Sequence, residues 1–222
     1  MFPARCATVT AGICEPMTIP AKGKMEPIEI EVKFAVADVA SLRKRITEMG
    51  AAARGRHFEL NVRLDDDAER LRQEQCLLRL RRAALTTLTF KASAEDPDRQ
   101  FKIHRELEVQ VSDFDTVEQI LGSLGYRRRQ VYEKWRETFR LDDADLCLDQ
   151  MPFGNYLEIE GPKAAIRRVA SSLGLDWRRR IRRNYLEMFS ILQRHLQLPF
   201  SDVTFENFKN MRLDFDHDKL FA

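Results

Sequence analysis

Carboxylates and cations recur in this chain at a spacing of two. Glu29 and Glu31 precede Lys33 in "IEIEVKF" (28–34), Glu106 and Glu108 lie in "ELEVQV" (106–111), and Glu158 and Glu160 lie in "YLEIEG" (156–161). Arg79 and Arg81 alternate in "CLLRLRR" (76–82), Thr89 and Lys91 in "LTTLTFKA" (85–92), Lys134 and Arg136 in "YEKWRETFRL" (132–141), and Cys147 and Asp149 in "ADLCLDQ" (144–150). On a β-strand a period of two puts each set on one face and the intervening apolar residues on the other. Carboxylate oxygens suit a hard divalent cation. Arginine grips phosphoryl oxygens with a two-pronged contact, and lysine does so as a point charge.

An open antiparallel sheet with one wet face would give the same alternation. Two features favour an enclosed site instead. The polar faces carry Arg, Lys, Glu and Asp rather than the Thr, Ser and Gln of open strands, and several helices are available to cover the apolar side. If about eight such strands curl into a barrel, its interior becomes a charged tunnel. Buried charge needs a partner, so the cations call for a polyanion and the carboxylates for a metal. Together they describe a metal–polyphosphate. An empty tunnel is expected to be strained, and loss of Arg79 or Arg136 to relieve it slightly.

The elements that must position these residues are legible from periodicity. "DVASLRKRITEMG" (38–50) shows a helix face of Val39, Leu42, Ile46 and Met49 ending at Gly50. "FDTVEQILGSLG" (114–125) ends at Gly125, and "PKAAIRRVASSLG" (162–174) begins with Pro162 and ends at Gly174. Each follows a Glu-apolar-Glu strand, as in a duplicated unit with a third, partial copy. "FELNVRL" (58–64) is a further strand, and 76–82 with 85–92 reads as a hairpin. Residues 92–104 read as a polar loop and 178–196 as a basic amphipathic helix. One domain is expected over residues 25–196, after a disordered leader at 1–24. The segment 197–222 has aromatics without a period, which leaves a packed tail and a partner-binding tail both open.

The bulk numbers narrow the class. In 222 residues, Lys+Arg 37 and Asp+Glu 35 nearly cancel to +2, which argues against a general nucleic-acid or membrane surface. No apolar run approaches a membrane span. Cys6, Cys14, Cys76 and Cys147 form no C-x-x-C pair, so neither a zinc site nor a disulfide framework is expected and the reducing cytoplasm is the default location. A homodimer stays open.

Taken in order, the motifs resemble the CYTH superfamily, also called triphosphate tunnel metalloenzymes, which includes class IV adenylyl cyclases, thiamine triphosphatases and inorganic triphosphatases. The E-x-E-x-K signature is Glu29-Ile30-Glu31-Val32-Lys33, the paired-basic strand is "LRLR" (78–81), and T-[YF]-K is Thr89-Phe90-Lys91. "RELE" (105–108), Lys134-Trp135-Arg136 and "CLDQMPFGNYLEIEG" (147–161) follow in family order. "NYLEMF" (184–189) closes the set, with Asn184 where Ser is usual. E-x-E-x-K alone would be weak, but the ordered set over about 165 residues, from 28 to 192, is specific.

The resemblance implies an α+β fold: an eight-stranded antiparallel β-barrel with helices packed outside and a lumen that binds a small-molecule triphosphate. It implies a catalytic set of Glu29, Glu31 and Lys33, with phosphate held by Arg79, Arg81, Lys91, Lys134, Arg136 and Arg183. One or two Mg²⁺ or Mn²⁺ ions are expected on Glu29, Glu31, Glu158 and Glu160 first, then on Glu106, Glu108 and Asp149. Hydrolysis of the terminal phosphate is the expected reaction. The alternative is an adenylyl cyclase making cAMP and pyrophosphate from ATP. A polyphosphate-binding module without catalysis is the third reading, and the carboxylates argue against it because anion binding needs only cations.

Overall fold

The computed structural model describes residues 28–94, 99–213 and 215–221, so the expected leader at 1–24 lies outside the described residues. Eight antiparallel strands form a closed barrel: β1 (Ile28–Ala35), β2 (Ala52–Asp65), β3 (Cys76–Arg82), β4 (Thr86–Ser93), β5 (Lys102–Val111), β6 (Arg127–Leu141), β7 (Ala144–Met151) and β8 (Gly154–Glu160). Their order around the ring is β1-β5-β4-β3-β2-β6-β7-β8, and β1 closes it by pairing with β8. Among the described residues, seven α-helices accompany them: α1 (Val39–Glu48), α2 (Arg70–Gln73), α3 (Phe114–Ser123), α4 (Lys163–Ser172), α5 (Tyr185–Leu196), α6 (Phe205–Phe208) and α7 (His217–Phe221), with a short 3-10 turn at Trp177–Arg179.

The apolar sides of the strands face outward and meet the helices. Val32, Phe34, Leu146, Leu148, Leu157 and Ile159 pack with Leu42 and Ile46 of α1 and with Ile166 and Val169 of α4. Val62, Leu64, Leu80 and Val131 pack with Phe114 of α3. Asp38 and Asp113 start α1 and α3 by accepting hydrogen bonds from the backbone N–H groups of Ser41 and Thr116. Burial of these apolar faces drives barrel closure and turns the charged faces inward. The cover is incomplete over β5, where Leu107 and Val109 are more than half exposed.

The remaining segments depart from periodicity where tertiary pairing intervenes. Lys102 and His104 are not loop residues: β5 begins at Lys102, which pairs with Glu31 of β1. The basic segment becomes α-helical only at Tyr185, because Ile181 is held in a backbone bridge to Lys33 and Asn184 forms a capping box with Glu187. The segment after α5 packs onto the barrel. Val203 bridges Tyr132, and Phe208 and Phe221 are buried with Phe153, Tyr156 and Phe189.

Gly161 ends β8 at φ +148, and a Cβ there would lie 2.7 Å from the Asp143 carbonyl oxygen. Gly161→Ala is therefore expected to destabilise the fold by about 1–3 kcal/mol. Denaturant unfolding would read this as a lower midpoint with an unchanged slope.

Candidate functional site

Barrel closure sorts most of the inward charges by sign, with Lys33 of β1 and Lys102 of β5 set among the carboxylates. Carboxylates gather on the neighbouring strands β8, β1 and β5, as Glu158, Glu160, Glu29, Glu31, Glu106 and Glu108. The cations Arg79, Arg81, Lys91, Lys134 and Arg136 come from β3, β4 and β6. All eleven of these residues, with Lys33 and Arg183, line one cavity of about 840 Å³. Glu29 and Glu160 also line a second cavity, of about 500 Å³, with Arg140 and Asp145.

Most of these charges already hold one another. Lys33 sits 2.6 Å from Glu31 and 2.9 Å from Glu158. Lys102 reaches Glu31 at 2.7 Å, and Lys91 pairs with Glu29 and, at 3.1 Å, with Glu106. Arg136 makes a two-pronged contact with Asp149 at 2.7 and 2.6 Å and a further ion pair with Glu158. Arg81 bonds Glu108 at 3.1 Å, and Arg79 lies 3.6 Å from the same carboxylate. The expectation of a strained empty tunnel therefore needs correction. The opposite-sign walls neutralise each other, so removing Arg136 strands two carboxylates instead of relieving repulsion.

The electrostatics follow from this pairing. Burial opposes the charge on Lys33, yet Glu158 and Glu31 outweigh it and raise its pKa, so Lys33 stays protonated. Burial likewise disfavours ionised Glu31, but Lys102, Lys33 and Lys91 carry its pKa well below the usual range. Glu160 is the exception. Its nearest described cation is Arg136 at 3.8 Å, and enclosure, with Glu158, Glu29 and Glu31 alongside, pushes its carboxyl up to about 8.

Glu29, Glu31 and Glu160 bring one carboxylate oxygen each within 4.8 Å of one another. Three convergent oxygen donors, one of them short of a cationic partner, fit a hard divalent cation. The other carboxylates expected to bind metal are differently engaged. Asp149 is fully buried and taken by Lys134, Arg136 and the Tyr185 hydroxyl, which donates at 2.9 Å. Glu158 is held by Lys33 and Arg136, Glu106 by Lys91, and Glu108 by Arg81 and the Thr89 hydroxyl. Arg183 lies where α5 meets the cavity, with its Nε donating to the Phe221 carbonyl at 3.3 Å.

Residues not expected from the sequence also shape the site: Lys102, His104 and Tyr185 line the cavity, and Glu59 lies buried behind its wall. Lys102 and His104 were hidden by the loop assignment. Both ring nitrogens of His104 are buried without a hydrogen-bond partner, and burial, with Lys102 and Lys91 nearby, lowers its pKa to about 4. Glu59 of β2 is 1% exposed; the alternation of "FELNVRL" carried the signal for it. Tyr185 enters from the start of α5, with Lys33 and Lys134 over its ring at 5.2 and 5.4 Å.

Comparison with known proteins gives the same picture. The PH1012 protein of Pyrococcus horikoshii is 26% identical in sequence, with a TM-score of 0.61 over 72% of this chain and 98% of that one. A protein of Methanocaldococcus jannaschii named "putative adenylate cyclase" is 22% identical over 173 residues, which cover 72% of this chain and 98% of the relative. A Hippeastrum protein shares the fold at 16% identity and a TM-score of 0.54, covering 73% of this chain and 95% of its own; its structure is described as a "putative adenylyl cyclase" with a dominant triphosphatase activity. The CYTH domain profile matches residues 27–183, the span that holds the barrel and nearly all of its inward charges, and the chain belongs to that family.

Proposed function

We propose that the protein hydrolyses the terminal phosphate of a small-molecule triphosphate in a reaction that depends on Mg²⁺ or Mn²⁺. The observation that carries this reading is the convergence of Glu29, Glu31 and Glu160 in a lumen that is also lined by arginine and lysine. A bound divalent ion would supply charge neutralisation at the phosphoryl group undergoing transfer. Glu29, Glu31 and Glu160 would hold it.

The chain's other residues bind and orient. Arg79, Arg81, Lys91, Lys134 and Arg136 meet phosphoryl oxygens, and each already rests against a carboxylate. Entry of a polyanion thus exchanges one set of anionic partners for another, so the cations need not be drawn out of water. Lys33, locked between Glu31 and Glu158, contributes fixed positive charge and is not a base.

Two relatives bear on the nucleophile. The name of the Methanocaldococcus protein favours cyclisation of ATP, and the activity described for the Hippeastrum protein favours hydrolysis. A cyclase must pin the ribose for in-line attack at the α-phosphorus, which needs contacts beyond a phosphate clamp. Incubation with ATP, tripolyphosphate and thiamine triphosphate, each with Mg²⁺ and then Mn²⁺, separates the two readings. Orthophosphate is expected, with tripolyphosphate accepted. Stoichiometric cAMP and pyrophosphate from ATP, with tripolyphosphate untouched, would establish the cyclase instead.

A further inference from the structure

The phosphate-facing cations of β3 and β6 are separated by β2, and Glu59 lies between them on its inward face. Glu59 pairs in register with Lys134, and its neighbour Asn61 pairs with Arg81. The Glu59 carboxylate is 3.6 Å from the Lys134 ammonium and 3.6 Å from the Arg81 guanidinium. His57 Nε2 lies 3.1 Å away, and the Asn61 amide donates at 3.5 Å while its Oδ1 is left without a partner. The carboxylate is almost wholly buried behind two side chains that line the cavity. Burial disfavours its charge, but Lys134, His57, Arg136 and Arg81 hold its pKa far below the usual range, so it is an anion at any working pH.

We infer that Glu59 is a built-in counter-charge: a positioning residue that lowers the affinity of the cationic wall for phosphate and so lets products leave. This rests on the triphosphatase reading for its consequence in turnover, but its effect on anion affinity stands independently. Arg81 has Glu108 as a second anionic partner, which lines the lumen and whose place a ligand phosphate can take; Lys134 has Asp149, which like Glu59 is buried and stays behind the wall. Glu59, fixed within the cationic wall, remains when ligand is bound and keeps part of its charge neutralised. Interactions at this range in a partly enclosed site are strong enough to change binding severalfold. Binding that strengthens equally for ground state and transition state lowers KM without raising turnover.

The test is Glu59→Gln, which keeps shape and removes charge, with tripolyphosphate titrated calorimetrically in EDTA so that no turnover occurs. The Kd is expected to fall on the order of tenfold. With Mg²⁺ present, KM and kcat should fall together, with kcat limited by slow product release. A Kd that is unchanged or raised would overturn the inference, whatever happens to the melting temperature. Should Glu59→Gln fail to fold, Glu59→Asn removes the same charge with a shorter amide and should lower Kd by a similar factor; an unmoved Kd in that folded variant overturns the inference equally. Tripolyphosphate binding that responds as expected without any hydrolysis would sink the triphosphatase reading alone. Hydrolysis with Kd unmoved in the variants would sink the counter-charge alone.

Discussion

Glu160→Gln is expected to lower kcat on the order of a thousandfold while leaving the protein folded. The two effects separate because of what Glu160 touches. It shares the carboxylate convergence with Glu29 and Glu31, yet its contact with Arg136 is long, at 3.8 Å. Few interactions of the metal-free protein depend on its charge. Its carboxyl is pushed up to about 8 by enclosure and by Glu158, Glu29 and Glu31, so it holds a proton in the metal-free folded state that it would lose in the unfolded chain. A carboxyl with its folded pKa above its unfolded value costs stability as pH rises between the two. In EDTA, wild-type stability should therefore decline between about pH 4.5 and 8 more steeply than that of Glu160→Gln, and the variant should melt no lower than wild type at pH 8. Activity assays with saturating Mg²⁺ beside thermal melts in EDTA check both halves. A variant that loses activity only because it unfolds would mark Glu160 as structural.

Arg136→Ala should have the largest effect on stability. Its guanidinium ties Asp149 on β7 and Glu158 on β8 to β6, inside a barrel where both carboxylates are almost fully buried. Removing it leaves two buried anions with one lysine each, Lys134 for Asp149 and Lys33 for Glu158, and the Tyr185 hydroxyl on Asp149. Breaking a buried charge network in this way costs about 3–5 kcal/mol. For a chain of this length that is a fall in melting temperature of roughly 10 °C. Tripolyphosphate should also stabilise the variant less than it does wild type, because the phosphate contact proposed for Arg136 would be gone. A melting temperature equal to or above that of wild type would show that like charges in the lumen repel more than opposite charges pair, as the sequence alone had implied.

That contrast marks the boundary between what one dimension determines and what three decide. The period of two in "EIEVK", "LRLR" and "KWR" was enough to say that these charges share faces, because side chains on a strand alternate whatever the strand pairs with. Apolar opposite faces, with helices to cover them, implied that the charged side points inward. The ordered motifs gave the family, and residues 27–183 of the profile match agree with them. Lys102 reads as loop because Arg105 interrupts the apolar row between Ile103 and Leu107 and sets "KIH" apart from "ELEVQV"; pairing with β1 makes the whole stretch one strand. Tyr185 was placed on a helix but not in the lumen, since its position depends on where the bridge between Ile181 and Lys33 stops the chain.

The partner of each charge was beyond the sequence altogether. Periodicity states which face a residue occupies, but not which strand lies beside it around a closed ring. Glu31 meets Lys102 from β5 and Glu158 meets Arg136 from β6 only because β1 lies between β5 and β8, and because the lumen is narrow enough for side chains to cross it. Glu160, alike in sequence to Glu158, is left without a close cation because Lys33 and Arg136 reach its neighbour first. Residue types and spacing thus determined that carboxylates and cations line one tunnel; closure of the barrel decided which cation each carboxylate meets and at what distance, since Coulomb energy depends on distance in space and not on separation along the chain.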